Sequence, residues 1–215
     1  MEIDNVDAVE VMKGVRADRR LSPIINNKRI EPGLMSFLHP GPGFGGSCFP
    51  KDLKAIISHG NQLGIDLKIL NSVISVNSIQ VNFTINKIKE SFGSIEGKKV
   101  AVLGLSFKPG TDDVRESPSI FIIKQLLSDK AIITAHDPMA IDNTKLILEH
   151  PNLFYERNLN KIINDKDIII LMTSWPEYLN LKNSDNIIKN TFLFDARRFL
   201  NKNDFKYYSG IGLNN

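Results

Sequence analysis

The 215-residue sequence predicts an α/β protein, with an open parallel sheet in the C-terminal half and a helical segment before it that ends in a long connecting helix. Three patterns predict this. From residue 98 onward, short runs of apolar and β-branched residues alternate with helix-length segments, as repeated β-α units do. Before that point Leu67, Leu70, Ile74, Val81, Ile85, Ile88 and Phe92 recur in steps of three, four or seven, the period of one helix face. Gly93 and Gly97 separate the two regimes, so the chain divides near residues 93–98 into a helical part, 1–95, and a sheet-forming part, 96–215.

Residues 6–15 read as a short helix with Val6, Val9, Val11, Met12 and Val15 along one side. Residues 16–43 hold Arg16, Arg19, Arg20, Lys28 and Arg29 together with Pro23, Pro32, Pro40 and Pro42, and read as a long, positively charged irregular loop of the sort that usually has a function. A helix is expected from Asp52, with Leu53, Ile56 and Ile57 facing inward and Gly60 and Gly64 around its end. The long helix 68–92 spans ~37 Å at the α-helical rise and suits either a connector, a dimer seam or a plain core helix. In the C-terminal half, strands are expected at 99–104, 131–137, 153–155, 167–172, 191–195 and 206–209. Helices are expected at 117–127, with Pro118 in its first turn, near 143–149 and at 159–163. The run 167–172 is apolar throughout, as a strand covered on both faces is.

Composition narrows the function. Hydrophobic residues make up 42% and charged residues 24%, a globular balance. The net charge of +3 comes from interspersed acids and bases, which excludes a nucleic-acid stripe and leaves anionic small ligands open. No apolar run reaches the ~18 residues of a membrane span. The acidic N-terminus lacks the features of an export signal. With a single cysteine in the chain, this places the protein in the cytoplasm.

The chemistry-bearing residues fall in two places. Cys48 is flanked by Gly43, Phe44, Gly45, Gly46 and Ser47 before it and by Phe49, Pro50, Lys51 and Asp52 after it. A lone cysteine in a Gly-rich turn is most often an inert packing residue. The alternative is a reactive thiol, with glycines admitting a ligand to the backbone, Lys51 favouring the thiolate and Asp52 moving a proton or holding that lysine. His39 as a base for Cys48 is a weaker possibility, a packing role in the loop the stronger one. The second place is the carboxyl edge of the sheet, where ligands bind in open α/β folds. Ser106 to Ser117, Asp137-Pro138, Thr173-Ser174-Trp175 and Asp195-Ala196-Arg197-Arg198 all follow strands. Lys108 and Arg197 could meet an anion, Trp175 offers a flat face for stacking, and Ser117 is a good N-cap. Gly104 is followed by Leu105, Ser106 and Phe107, so the phosphate-binding pattern Gly-x-Gly-x-x-Gly is absent from the first turn. The four histidines have no metal-ligand spacing, and no metal is expected.

Pro40-Gly41-Pro42-Gly43-Phe44-Gly45-Gly46-Ser47-Cys48-Phe49-Pro50-Lys51-Asp52 resembles the catalytic-cysteine motif of the UDP-glucose/GDP-mannose dehydrogenase family. Gly104-Leu105-Ser106-Phe107-Lys108-Pro109, Arg115-Glu116-Ser117-Pro118 and Phe194-Asp195-Ala196-Arg197-Arg198 resemble segments of that family's C-terminal domain. The resemblance implies a Rossmann-like, UDP-sugar-binding sheet domain preceded by a partial all-α central domain. It implies NAD-dependent oxidation of a nucleotide sugar's C6 alcohol to a carboxylate in two hydride transfers, through a thiohemiacetal and a thioester on Cys48. It assigns catalysis to Cys48, Asp52 and Lys51. Phe44, Gly45, Phe107, Lys108, Arg197 and Arg20 would bind the substrate, Arg20 by reaching a partner subunit, and Lys51 and Arg115 would face the cofactor. The motif wording is closer to members acting on UDP-glucose than to those for N-acetylated sugars, with GDP-mannose the near alternative. A nucleotide-sugar-binding or dimerisation module without catalysis is the competing reading. The family implies a homodimer through the long helix, no nucleic acid and no membrane. Family members begin with an NAD-binding domain, whereas this sequence starts within the central one, so NAD is expected to be bound mainly elsewhere and the chain to be inactive alone.

Overall fold

A computed structural model describes residues 5–30 and 32–213, apart from the side chains of Leu34 and Ser36. The first four and last two residues of the ranges 1–95 and 96–215, and Glu31 of the expected loop, lie outside the described residues. The helical segment comprises α1 (Ala8–Arg16), a small hairpin of β1 (Ile24–Ile25) and β2 (Lys28–Arg29), a 3-10 turn at Gly33–Leu38, α2 (Phe49–Gln62) and α3 (Lys68–Phe92). The sheet follows as β3 (Lys99–Leu103), α4 (Pro118–Ser128), β4 (Ile132–His136), α5 (Ile141–Lys145), β5 (Leu153–Tyr155), α6 (Leu159–Ile162), β6 (Ile168–Leu171), α7 (Asp185–Lys189), β7 (Phe192–Asp195) and β8 (Tyr208–Gly210).

All six strands of this sheet run parallel, in the order β5-β4-β3-β6-β7-β8. The chain winds outward from β3 to one edge and then from β6 to the other. The order therefore reverses between β3 and β6, and in open sheets that reversal opens a crevice beyond the strand ends. Alternate residues of β3 enter different layers. Val100 and Val102 join Ile122, Ile123 and Leu126 of α4 on one face, while Ala101 and Leu103 join Ile162, Tyr178 and Ile187 on the other. This two-sided burial is why the strands read as unbroken apolar runs.

The long helix has the expected bounds, and Gly93 ends it with φ +94. Only its C-terminal half is covered. Ile85 and Ile88 are buried in the first of these layers, Lys89 pairs with Asp129 at 2.8 Å, and the Ser91 and Ser209 hydroxyls meet at 3.0 Å. The last turns of α3 thus pack as part of the sheet unit, across the sequence division at 93–98.

Several expectations need correction. The stretch 16–43 is not irregular throughout. Asn26 and Asn27 adopt φ of 51° and 58°, the left-handed pair a tight two-residue hairpin turn requires, and Ile24 pairs with Arg29. Helix α2 begins at Phe49 rather than Asp52, because Pro50 is tolerated in its first turn, and Ile56 faces solvent at 52% exposure. None of the apolar residues of α1 is fully buried. Helix α5 stops at Lys145, short of the expected 149. The 3-10 segments at Pro176–Asn183 and Lys202–Asp204 and helix α7 were not expected. Ser117 occupies the N-cap position of α4, but its hydroxyl makes no capping bond and has no partner. No helix among the described residues is long and apolar enough to cross a membrane.

The two ends of the chain are tied by charge. Asp7 caps α1 by accepting from Val9 N–H at 3.0 Å, and it pairs with Arg198 at 2.8 Å and Lys202 at 2.9 Å. The Asp7 and Arg198 side chains are only 9% and 4% exposed. Burial by itself would raise the Asp7 carboxyl, but the hydrogen bonds from Arg198, Lys202 and the Val9 backbone outweigh it and hold the group well below the usual carboxylate range. A folded-state value below the unfolded one means the stabilisation is complete above about 3.8 and is lost as pH falls below it. Replacing Asp7 with Ala strands the Arg198 charge, and urea unfolding at pH 7 should show a loss of about 3–5 kcal/mol. The gap from the parent chain should narrow between about pH 4 and pH 2. Equal midpoints at pH 7 would show that the pair contributes nothing.

Candidate functional site

The Cys48 loop lies on the carboxyl edge of the sheet, held from two sides. From below, Gly46 N–H donates to the Arg115 carbonyl at 2.8 Å. From the side, Asn77 of α3 grips Phe44. Phe44 N–H donates to Asn77 Oδ1 at 2.8 Å, and Asn77 Nδ2 donates to the Phe44 carbonyl at 3.0 Å. Gln80 Nε2 donates to the Gly41 carbonyl at 2.9 Å.

The glycines of the loop are required by these approaches. A Cβ on Gly45 would fall inside contact distance of the Glu116 carbonyl oxygen, which is rigid backbone. A Cβ on Gly46, at φ +89, would sit 2.8 Å from the Phe107 ring. The sequence pattern indicated glycines that admit a ligand; here they admit another stretch of the protein, and Gly45 is buried.

The chain then turns into α2, with Cys48 at its N-cap, its thiol exposed and 3.8 Å from Ser47 Oγ. Asp52 N–H donates to the Cys48 carbonyl at 2.8 Å, so the carboxylate stands one helical turn from the thiol. Lys51 and Asp52 are both exposed and lie 3.4 Å apart. The positive end of the α2 dipole faces Cys48, an arrangement that favours negative charge there.

Across the crevice, Lys108 Nζ lies 5.4 Å from the centre of the Phe107 ring. Arg115 is held by Asp113 through side-chain bonds of 2.9, 3.2 and 2.7 Å. That pairing pulls the Asp113 carboxyl down and raises the Arg115 guanidinium. Arg197 is half-buried. Its Nε donates to the Met172 carbonyl at 2.8 Å, and an Nη lies 3.5 Å from the Phe107 carbonyl. Burial lowers its guanidinium to about 10, with the Asp195 carboxylate opposing, so it stays cationic at neutral pH.

Not every strand-end residue faces outward. Trp175 was expected to present a flat face; it is 9% exposed, and its indole N–H donates to Asp137 at 3.1 Å. Asp137 is itself 2% exposed and also accepts from Leu105 N, Ser106 N, Ser106 Oγ, Met139 N and Ala140 N. Arg198 turns inward to Asp7. Burial lowers His39, and the Arg16 and Arg198 charges add to the effect. Among the described residues Arg20 bonds to Asp18, with its side chain 89% exposed. Asn77, Gln80 and Asp113 are the positioning side chains that sequence reasoning missed.

Two apolar clefts flank the loop. One of about 360 Å³ lies among Phe44, Ile74, Val81, Pro118 and Phe121. The other, of about 570 Å³, lies among Phe44, Ile69, Val73 and Val76. Cys48, Lys51, Asp52, Lys108 and Arg197 line neither of these two clefts. Among the described residues no three His, Cys, Asp or Glu side chains gather where they could share a metal ion.

Comparison with known proteins matches both halves of the chain. Residues 1–79 match the central domain of the UDP-glucose/GDP-mannose dehydrogenase family, and residues 101–202 match its UDP-binding domain. The chain is 41% identical over 182 residues to UDP-glucose 6-dehydrogenase of Rickettsia prowazekii, covering 81% of this chain and 42% of the relative. Among solved structures, a UDP-glucose dehydrogenase from Pyrobaculum islandicum superposes with a TM-score of 0.79 at 32% identity, covering 96% of this chain and 44% of that one. The GDP-mannose dehydrogenase of Pseudomonas aeruginosa gives 0.70 at 25% identity, over 97% and 46%. The chain thus spans less than half the length of these relatives.

Proposed function

The chain belongs to the UDP-glucose/GDP-mannose dehydrogenase family, and from that premise we propose that it supplies the nucleotide-sugar site and the reactive thiol of a cytoplasmic UDP-glucose 6-dehydrogenase. The observation that carries this reading is the bond from Gly46 N–H to the Arg115 carbonyl. It joins the Cys48 loop to the same strand-end loop that presents Phe107 and Lys108. A nucleotide sugar anchored at the sheet edge would therefore have its sugar directed toward the sulfur.

Phe107, Lys108 and Arg197 would hold the nucleotide, with the two cations facing its diphosphate. Phe44 and the backbone at Gly45 would bound the sugar. When the sugar carbon is an aldehyde, the Cys48 sulfur adds to it. The new C–S bond forms as the carbonyl π pair moves to oxygen, which takes up the thiol's proton by way of Asp52. When that carbon is later a thioester, water attacks it, Asp52 accepts a water proton, and the C–S bond breaks to return the thiol and release the acid.

The oxidation between these two states would be supplied by NAD, the cofactor of this family, when bound. The described residues around β3 and β4 do not fit a dinucleotide cradle. The turn after β3 lacks the glycine pattern, and the acid at the end of β4, Asp137, is fully engaged inside the protein. Lys51 and Arg115 are exposed cations that would face a cofactor held by another part of the enzyme, so the chain alone would not turn over.

The α3 surface carries a second element of the reading. Ile69, Val73, Val76 and Ile79 are exposed at steps of four, three and three, forming a stripe on the uncovered half of the helix. A second copy of the chain would cover it, and Arg20 would then be free to reach the partner's site.

Calorimetric titration tests the binding claim. UDP-glucose and UDP should bind, GDP-mannose more weakly and NAD not measurably. Lys108→Ala should weaken UDP-glucose by roughly tenfold or more. Tight NAD binding without UDP-glucose binding would refute the assignment. Sedimentation tests the seam, where a dimer converted to monomer by Val76→Asp is expected. A parent chain that sediments as a monomer at high micromolar concentration would remove it.

A further inference from the structure

Residues 41–46 form neither helix nor strand, so their backbone polar groups need partners from elsewhere. Asn77 supplies two of them at a single residue, accepting from Phe44 N–H and donating to the Phe44 carbonyl. A primary amide used this way imitates one rung of a sheet ladder and fixes the backbone on both sides of Phe44. Gln80, three residues along the same helix face, holds Gly41. Gly43 leaves the room this clamp needs. Its φ is +109, and a Cβ there would stand 2.7 Å from Asn77 Oδ1. Asn is a mediocre helix former, and Asn77 gives α3 itself nothing that Ala would not.

Nearest the thiol, two bonded points fix the loop, Phe44 on α3 and Gly46 on Arg115, with one residue between them. If the first is released, the loop can pivot about the second, and the Phe44 side of the site moves relative to Phe107 and Lys108. We propose that Asn77 is a positioning residue for the sugar end of the substrate, setting the Cys48 loop at a fixed distance from the nucleotide-binding edge while touching neither thiol nor nucleotide. The inference rests on the nucleotide-sugar reading and adds to it a residue on a different element.

The test is a paired titration of the full chain with UDP-glucose and with UDP. UDP meets only the strand-end loops, so it separates positioning from general stability. Asn77→Ala should weaken UDP-glucose roughly tenfold and leave UDP within about twofold. Asn77→Asp keeps the acceptor but sets a carboxylate oxygen against the Phe44 carbonyl where the donor was, so it should weaken UDP-glucose at least as much as Ala. Gly43→Ala attacks the same clamp from the loop and should reproduce the Ala result with α3 intact, which decides the matter even if Asn77→Ala does not fold. Equal losses for UDP and UDP-glucose, or unchanged affinity for both, would overturn the inference alone. A parent chain that binds neither ligand would overturn the nucleotide-sugar reading and this inference with it.

Discussion

One close approach organises this molecule, that of the backbone at Gly45 and Gly46 against the backbone and ring of residues 107–117. There is no space at Gly45 for a methyl group beside the Glu116 carbonyl, and none at Gly46 beside Phe107. That contact joins a helical segment to a sheet and carries Cys48 to the sheet's carboxyl edge. Without it the thiol would be tied to the strand ends mainly by way of α3. The hydrogen bond from Gly46 to Arg115 is modest in energy, about 1 kcal/mol for a typical bond of its kind. Its importance is geometric, because it selects one arrangement of two loops.

Behind that contact lie two buried carboxylates that shape the edge. Asp137 gathers the turns after β3 and β4 and the indole of Trp175 onto one side chain. Asp195 accepts from Arg197 N, Leu200 N and the Tyr208 hydroxyl, and burial raises its carboxyl. Each anion is surrounded by donors, as a buried charge must be. The result is a stiff edge on which Phe107, Lys108 and Arg197 keep their places. Asp7 extends the same logic to the other end of the chain, since its bonds to Arg198 and Lys202 pin α1 beside the turn that carries Arg197.

Much of this was legible in the sequence. The strands were plain because buried parallel strands are apolar on both faces, and the bounds of α3 were plain because a long stripe ends at Gly93. The hairpin at 24–29 was hidden by surrounding prolines and charge, although Asn26-Asn27 between two strand-like pairs is its signal. Pro176 after Trp175 marked the start of a 3-10 segment in the same way. Trp175 misled because an aromatic ring at a strand end reads as a stacking surface, while its N–H was answered by a distant Asp137. The glycines of the Cys48 loop were legible as close-approach residues, but nothing local says whether a ligand or the protein's own backbone is what approaches. Asn77 and Gln80 were invisible for a related reason. On an amphipathic helix, polar residues look like a solvated face until the loop they hold is in place.

The central claim is that the Cys48 loop is docked on the strand-end loop in the chain itself, and amide hydrogen exchange of Gly46 addresses it most directly. An N–H bonded to the Arg115 carbonyl and buried beneath Phe107 should exchange at least about a hundredfold more slowly than an open loop amide, close to its neighbours in the sheet. Exchange of Gly46 at the unprotected rate, with the strand amides still protected, would mean that the loop swings free and that the thiol has no fixed place at the edge.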